Sequence, residues 1–576
     1  MKTLSGSRAS DLELAHDVLD TLGQLIDAAL RHLNSLCVVD GRLSQQLLDQ
    51  YQLPCYEVSF CTADHTAARH LVDYAVSVCA QDDVAAWAAC QFAATSVQSV
   101  MGRLAARPVE YGMGSDDIAD ALRQLGEAGF ADFYLASERM AELGQALMAR
   151  EGDYVPMLLT DEQREIRDAI RRFSTNVVME LAEDIHRHDR DVPEEILQPL
   201  REMGCFGISI PERFGGLQSD SGDDSLYMIL ATEELSRGSL GAAGSLITRP
   251  EILARALLTG GTSEQQKRWL PLVASGEVLC AISLTEPDYG SDLASVKLKA
   301  TRTDGGWLLN GSKTWCTFAG TASLIVTLAR TGDESDGHKG LSCFLVKKPR
   351  CEGQEFEVRQ DPADGAGHGK LTGKAIPTIG YRGMHSFDLF FEDFFVSGED
   401  VIGEEAGVGK GFYFVLTGLT GGRMQTAARA SGVMQAACEQ AVEYAGNRKV
   451  FGQPIGGYQL TRINISRMVC ALLAAKHFSY AVARQVDAGG GRIAASLVKL
   501  FACRAAEWVA STSLQIHGGM GYAEEVPVSR YFVDARVLSI FEGTEEVLAL
   551  RVIAKELVIS ASNSDGQTVS RRPLKT

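Results

Sequence analysis

The chain has 576 residues, 45% hydrophobic and 22% charged, a balance that supports several folded domains and excludes a largely disordered protein. Its 74 acids outnumber 55 lysines and arginines, a net charge of -19 that disfavours a nucleic-acid surface or attraction to anionic lipid. The 13 cysteines are scattered without a C-x-x-C pair or a histidine at metal-ligand spacing, so the expectation is a reducing, cytoplasmic setting with no disulfide framework and no metal site.

The opening MKTLSGSRASDLELAHD acquires acids early and lacks an apolar core segment, so it reads as neither a secretory signal nor a transit peptide. No apolar run is long enough to span a bilayer, and no membrane insertion is expected. Residues 1–152 read as a helical extension, because LELAHDVLDTLGQLIDAALRHL and DDVAAWAACQFAATSVQSVMGRLAA repeat apolar positions at helical spacing. The stretch around Glu151-Gly-Asp-Tyr-Val-Pro156 breaks that period and predicts a linker. A helical domain over 156–278 follows, opened by the cap and first-turn acids of TDEQREIRDAIRRF.

Over 279–396 the pattern becomes β: VKLKATRT, WLLNGSKTWCTF with its Asn310-Gly311 turn, SLIVTLAR, LSCFLVKK and FDLFFEDFFV predict a mainly antiparallel sheet. Long helices resume over 397–558, and residues 559–576 read as a polar disordered tail. The order helical, helical, β, helical makes the fold class α+β.

Several stretches carry chemistry. GEEAGVGKG, Gly403 to Gly411, superficially matches a phosphate loop but lacks the first Gly and the final Ser or Thr, so it predicts a flexible connection instead. His186 and His188 read as a solvated polar face. LTEPDYGSD, Leu284 to Asp292, gathers hydroxyls and glycine-exposed N–H groups suited to a polar cofactor. NGSKTWCTFAG puts Trp315 and Thr317 at alternate positions, hence on one face of a strand. NRKVFG offers Arg448 as an anion partner, and QIHGGMGY ends a helix at a glycine pair. In SIFEGTEEVLAL, Thr544 is an N-cap and Glu545 and Glu546 suit a first turn.

This order of motifs resembles the acyl-CoA dehydrogenase family over roughly 156–557. The resemblance implies an α+β, acyl-CoA dehydrogenase-like fold: a helical domain, a central antiparallel β domain and a C-terminal helical bundle, here preceded by the helical extension. It implies FAD held by Leu284, Thr285, Gly290, Ser291, Trp315 and Thr317, with Ser291 also meeting the acyl-CoA. It assigns Arg448, Phe451, Gln459, Gln515, Gly518 and Gly519 to the FAD of a neighbouring subunit, which requires at least a homodimer. Thr544 and Glu546 fall beside the flavin, Gly543 at the acyl-CoA, and Glu542 on the catalytic base that removes the α-proton while the β-hydride leaves for flavin N5. Burial against Phe541 is expected to raise the Glu542 pKa towards working pH.

Stretches such as SLITRPEILARALLTGG and GYRGMHSFDLFFEDFFV resemble a branch acting on a short branched dicarboxylic acyl-CoA, which makes Arg249 and Arg423 candidates for binding the free carboxylate. Electron-transfer flavoprotein is the implied acceptor and a homodimer the implied assembly. The extension has three candidate roles, as a lid, as a partner-binding module, or as a filler of surface through which simpler relatives form tetramers; the last predicts the dimer. Alternatives are another acyl group (glutaryl, isovaleryl), an oxidase, or a non-catalytic relative associated with nucleic acid. The net charge and Glu542 argue against the last.

Overall fold

In the computed structural model, residues 8–126, 129–150, 152–219, 225–361 and 368–561 are described. The chain divides into two compact units, one of Glu165–Gln425 and one joining Met1–Arg164 to Thr426–Thr576.

The first unit is built on eight strands: β1 (Cys280–Ser283), β2 (Lys299–Thr303), β3 (Gly306–Thr317), β4 (Leu324–Arg330), β5 (Leu341–Lys347), β6 (Glu355–Arg359), β7 (Lys370–Ala375) and β8 (Ser386–Ser397). They are ordered β1-β4-β2-β3-β8-β7-β6, with β5 also paired to β4. Most pairings are antiparallel as expected, but β1 runs parallel to β4 and β2 meets β4 in parallel at Lys299 and Arg330. The Val-, Leu- and Ala-rich β4 is buried at every position, the pattern of a strand covered on both faces.

One cover is helical. Leu253, Leu257, Trp269 and Val273, on the helices Thr248–Gly260 and Ser263–Ala274, share a core with Cys280, Leu324, Val326 and Leu345 of β1, β4 and β5. The change of pattern expected at 278 therefore separates two kinds of secondary structure but not two cores. Each such buried side chain contributes about 1.5–3 kcal/mol.

Gly403–Gly411 is not the flexible connection expected. The Gly403 N–H donates to Gln265 Oε1 at 3.0 Å and the Gly409 N–H to Ser342 Oγ at 2.8 Å. A side chain at Gly411 would meet the Cys343 backbone N at 2.3 Å.

The second unit unites the two ends of the chain. Helices Gln52–Val78, Asp83–Ala106 and Ser137–Met148 pack against Gln459–Asp487, and the first of these also against Arg492–His517. The contacts are specific: Ser466 Oγ donates to Gln91 Oε1 at 2.8 Å, and Tyr74 stacks on His477 at 3.5 Å. A Cβ at Gly144 would lie 2.0 Å from the Arg462 carbonyl oxygen. The expected linker is packed too, since Gln435 Nε2 donates to the Gly152 carbonyl at 2.9 Å and Tyr154 is buried. The boundary between units falls inside the helix Asp161–Phe173 rather than at 152–156.

Among its described residues the extension is built of helices and one two-residue ladder, Val38–Val39 with Arg42–Leu43. Of the expected tail at 559–576, Ile559 and Ser560 belong to the helix Lys555–Ser560; 562–576 lie outside the described residues. Among the described residues no helix is long and apolar enough to cross a membrane, and no group of His, Cys, Asp and Glu could hold a metal. His188 instead bonds Asp184 one turn earlier, at 2.9 Å.

Candidate active site

The expected residues fall into sets within each unit. In the sheet unit, Leu284 to Asp292 makes a tight turn in which Glu286 and Tyr289 exchange backbone hydrogen bonds. The turn is anchored from below. The Glu286 carboxylate accepts from the N–H groups of Lys297 (2.6 Å) and Leu298 (2.7 Å) and from Lys313 Nζ (2.9 Å), which also donates to the Leu284 carbonyl at 2.8 Å. Lys313 is fully buried; burial pushes its amine down to about 8, against the opposing pull of Glu286. With Glu286 turned inwards, Gly290 and Ser291 are left exposed, and the Thr314 N–H ties the loop to β3 through the Thr285 carbonyl at 2.9 Å.

Trp315 lies next to that tie, but the strand is not regular there. Lys313 pairs with Leu389 and Cys316 with Phe387, so Thr314 and Trp315 oppose the single residue Asp388 in a β-bulge. The bulge puts Trp315 at φ +57, a rare conformation for a bulky residue, and leaves its ring 55% exposed. Thr317 is buried and shares a 2.9 Å hydrogen bond with Ser386 Oγ, so the two residues at alternate positions differ in exposure. An exposed indole beside a loop of free hydroxyls and glycine suits a planar aromatic cofactor.

Past Thr317 the chain is held by His385. The Phe318 N–H donates to the carbonyls of Met384 (3.0 Å) and His385 (2.8 Å), while the His385 ring lies between Asp191 (2.9 Å) and Asp189 (3.1 Å). Burial opposes charge on this imidazole, but the hydrogen bond to Asp191 and the charges of both aspartates outweigh it and raise the pKa above 6.5. A raised pKa means the native state holds the proton more tightly than the unfolded chain. The stabilisation is therefore complete below about pH 6.5 and is lost as pH rises through the higher folded value. The melting temperature of wild type minus that of His385→Gln should be largest near pH 6 and shrink above it; a difference that grows with pH would contradict the charged assignment.

Arg249 and Arg423 both belong to this unit and are partly buried. Arg249 Nη1 donates to the Ser245 carbonyl at 2.6 Å and Nη2 to Tyr381 Oη at 3.2 Å. No acid among the described residues pairs with it. Its charge is felt at the buried thiol of Cys316, between Trp315 and Thr317, so it stands near the bulged strand. Tyr381, at φ +57, lies in the stretch GYRGMHSFDLFFEDFFV, where sequence reasoning assigned it no role of its own.

In the helical unit, the Glu542 corner is a closed loop. The Glu545 N–H donates to the Ser539 carbonyl at 3.1 Å, and Thr544 caps the next helix as expected, its hydroxyl accepting from the Val547 N–H at 3.3 Å. Glu542 (φ +56) and Gly543 (φ +93) are both left-handed, which costs a glutamate about 1–2 kcal/mol. A buried cation offsets this. Lys499, from the helix Arg492–His517, donates to the carbonyls of Phe541 (2.9 Å) and Gly543 (2.6 Å), on either side of Glu542. A hydrogen bond from a charged donor is worth roughly 1.5–3 kcal/mol, enough to hold the strained residue.

Arg429 stacks its guanidinium 4.8 Å from the centre of the Phe541 ring, so that ring packs on a cation; Glu542 itself is half-buried. Beyond the corner, Glu546 is exposed, whereas Glu545 is buried and bonded by Arg504 and by Tyr56 of the extension. The helix then widens into a π turn, Leu548–Ala554, whose Ala549 carbonyl accepts from Ser59 of the extension at 2.9 Å.

Arg448, Phe451, Gln459, Gln515, Gly518 and Gly519 are all exposed in this unit. Phe451 forms the tip of a hairpin at φ +50 and is 95% exposed. Tyr444 stacks on His517 at 4.3 Å and so joins the hairpin to the Gly518–Gly519 turn. An apolar ring left this open suits a face covered by another chain.

Sequence reasoning missed Lys499, the Lys313–Glu286 pair and Tyr381. The signal available for Lys499 was a single lysine in the apolar run SLVKLFAC.

Helices, a mixed β-sheet carrying an exposed polar loop, and a carboxylate at a strained corner suit an oxidoreductase of the dehydrogenase class. The chain belongs to the acyl-CoA dehydrogenase family, oxidoreductases acting on CH–CH bonds: it matches that family's N-terminal domain over 160–277, middle domain over 281–394 and C-terminal domain over 409–558. It is 35% identical over 569 residues to (2S)-methylsuccinyl-CoA dehydrogenase of Cereibacter sphaeroides, covering 95% of this chain and 98% of that one. Butyryl-CoA dehydrogenase of Megasphaera elsdenii superimposes with a TM-score of 0.62 at 30% identity, covering 69% of this chain and 98% of that one. A glutaryl-CoA dehydrogenase solved with glutaryl-CoA gives 0.62 at 28% identity, covering 72% and 99%.

Proposed function

We propose that the protein is an FAD-dependent dehydrogenase of a short branched dicarboxylic acyl-CoA, taking (2S)-methylsuccinyl-CoA to mesaconyl-CoA in the ethylmalonyl-CoA pathway. In this reading it works as a cytoplasmic homodimer that passes electrons to electron-transfer flavoprotein. Bound FAD would supply the hydride acceptor, held by Leu284, Thr285, Gly290, Ser291, Trp315 and Thr317, with Thr544 and Glu546 beside it. Arg448, Phe451, Gln459, Gln515, Gly518 and Gly519 would reach the FAD of the other subunit. The exposed Trp315 and Phe451 rings support these assignments.

Glu542 would take the α-proton onto its carboxylate. The acyl-CoA would lie against Ser291 and Gly543. A thioester α-hydrogen is weakly acidic, so the base must be fixed at that carbon while a donor polarises the carbonyl.

Arg249 carries the dicarboxylate reading: it is a partly buried guanidinium bonded only to neutral oxygens, and a second carboxylate on the acyl chain would complete it. Arg423 is the other candidate. The similarity to methylsuccinyl-CoA dehydrogenase across 95% of the chain, extension included, supports the same substrate.

Anaerobic bleaching of the flavin by a panel of thioesters tests this. Methylsuccinyl-CoA should bleach it, and succinyl-, butyryl- and glutaryl-CoA should not. Arg249→Lys should weaken methylsuccinyl-CoA binding about 10-fold or more, since an ammonium does not reproduce the forked contact. Preferential bleaching by an uncharged acyl group such as isovaleryl would overturn the substrate reading.

A further inference from the structure

We infer that Lys499 is a positioning residue for the reaction: by drawing the Phe541 carbonyl inwards, it turns the Glu542 backbone N–H outwards as the donor that polarises the substrate's thioester carbonyl. In a trans peptide the C=O and N–H point in opposite directions, so the orientation of one sets the other. Lys499 Nζ lies 2.9 Å from the Phe541 oxygen, and that carbonyl shares its peptide plane with the Glu542 N–H. Among the described residues no peptide bond is cis.

The second contact, 2.6 Å to the Gly543 oxygen, holds the far side of Glu542 in the same way. Between two anchored carbonyls the residue is kept at φ +56. The Glu542 N–H donates to none of the described residues, although it lies in a loop closed by the Glu545-to-Ser539 hydrogen bond. Such an N–H is available to a ligand.

The arrangement is rigid from three sides. Lys499 is 1% exposed on a long helix, Arg429 is 1% exposed and stacks on Phe541, and Thr544 caps the following turn. A donor fixed before substrate arrives needs no reorganisation as negative charge develops on the thioester oxygen. Lys499 thus serves two ends with one charge: the base is held in place, and the oxyanion donor beside it is aimed.

The inference rests on Glu542 as the base, and the experiment separates the two. Mesaconyl-CoA labelled with 13C at the thioester carbonyl is bound to the FAD-loaded enzyme, and the carbonyl stretch is read by infrared difference spectroscopy. Wild type and Glu542→Gln, which share the backbone N–H, should both shift the band to lower frequency. Lys499→Met should lose at least half of that shift and lower kcat about 10²-fold, as removing one oxyanion donor does, with KM changed less than threefold. Lys499→Arg, which spans both carbonyls with a charged fork, should recover most of the shift.

A Lys499→Met enzyme with the wild-type shift would overturn the proposal, whatever its rate. If Lys499→Met does not fold with FAD, Lys499→Gln, which keeps a neutral donor, is measured in its place and must show an intermediate shift. No band shift in wild type would count against the substrate reading and this proposal together, whereas an active Glu542→Gln would remove the base alone.

Discussion

Glu542→Gln is expected to fold, bind FAD and bind acyl-CoA, yet bleach the flavin about 10³-fold more slowly than wild type. Glutamine keeps the shape of the side chain and the left-handed backbone, so the corner held by Lys499 is unchanged. What is lost is the group that accepts the proton, and a positioned general base is worth about 10²–10⁴-fold. The scale is set by the need to deprotonate a weakly acidic carbon. Glu542→Asp gives a second measure, since a base withdrawn by one methylene, roughly 1 Å or more, is expected to cost about 10²-fold with the carboxylate intact. Single-turnover bleaching separates these effects from product release. A glutamine variant within tenfold of wild type would place the base elsewhere.

A chain beginning near Pro156 is expected to lose the second unit rather than merely a surface domain. The helices Gln52–Val78 and Asp83–Ala106 cover Phe478, His477, Cys470 and Ala549, all nearly fully buried. Exposing a large apolar side chain costs about 1.5–3 kcal/mol, and a whole domain is stable by only about 5–15 kcal/mol. Several such losses consume the margin. The truncated chain should aggregate or melt well below the full chain, as read by solution mass and thermal unfolding.

We read the extension as filling, within one chain, the surface through which shorter relatives associate into tetramers, leaving a dimer. A truncated chain that remained a soluble, FAD-loaded dimer would remove support for that reading. The Tyr56–Glu545 and Ser59–Ala549 hydrogen bonds add a consequence for the site. The extension also braces the turn just after the Glu542 corner.

Much of the candidate site was legible because its motifs are local. A cap, a first turn of acids and a glycine at a corner lie within a few residues of each other, so Thr544 was assigned as a cap from neighbours alone, and its hydroxyl is bonded accordingly. Helical periods likewise marked the long helices at both ends of the chain, since a period of 3.6 is written into successive residues.

Other features depend on contacts between residues far apart in sequence. Strand alternation carried no sign of the bulge at Thr314 and Trp315, because the bulge is set by pairing opposite Asp388, on a strand some seventy residues later. The linker expected at 152–156 was read from its glycine and proline, yet Gln435 and Tyr74 hold it as part of a core. Lys499 is a single lysine in an apolar run, and the carbonyls it bonds, of Phe541 and Gly543, belong to a distant part of the chain.

The sequence by itself determined the family, the helical and β segments and the carboxylate at the corner, because each is carried by residues close together or by motifs in a fixed order. Only the tertiary structure decided that the first 164 residues share a unit with the last 151, and that a buried lysine turns the peptides around Glu542. Packing and charge act across any sequence separation, and a single chain read in order does not disclose which distant residues they join.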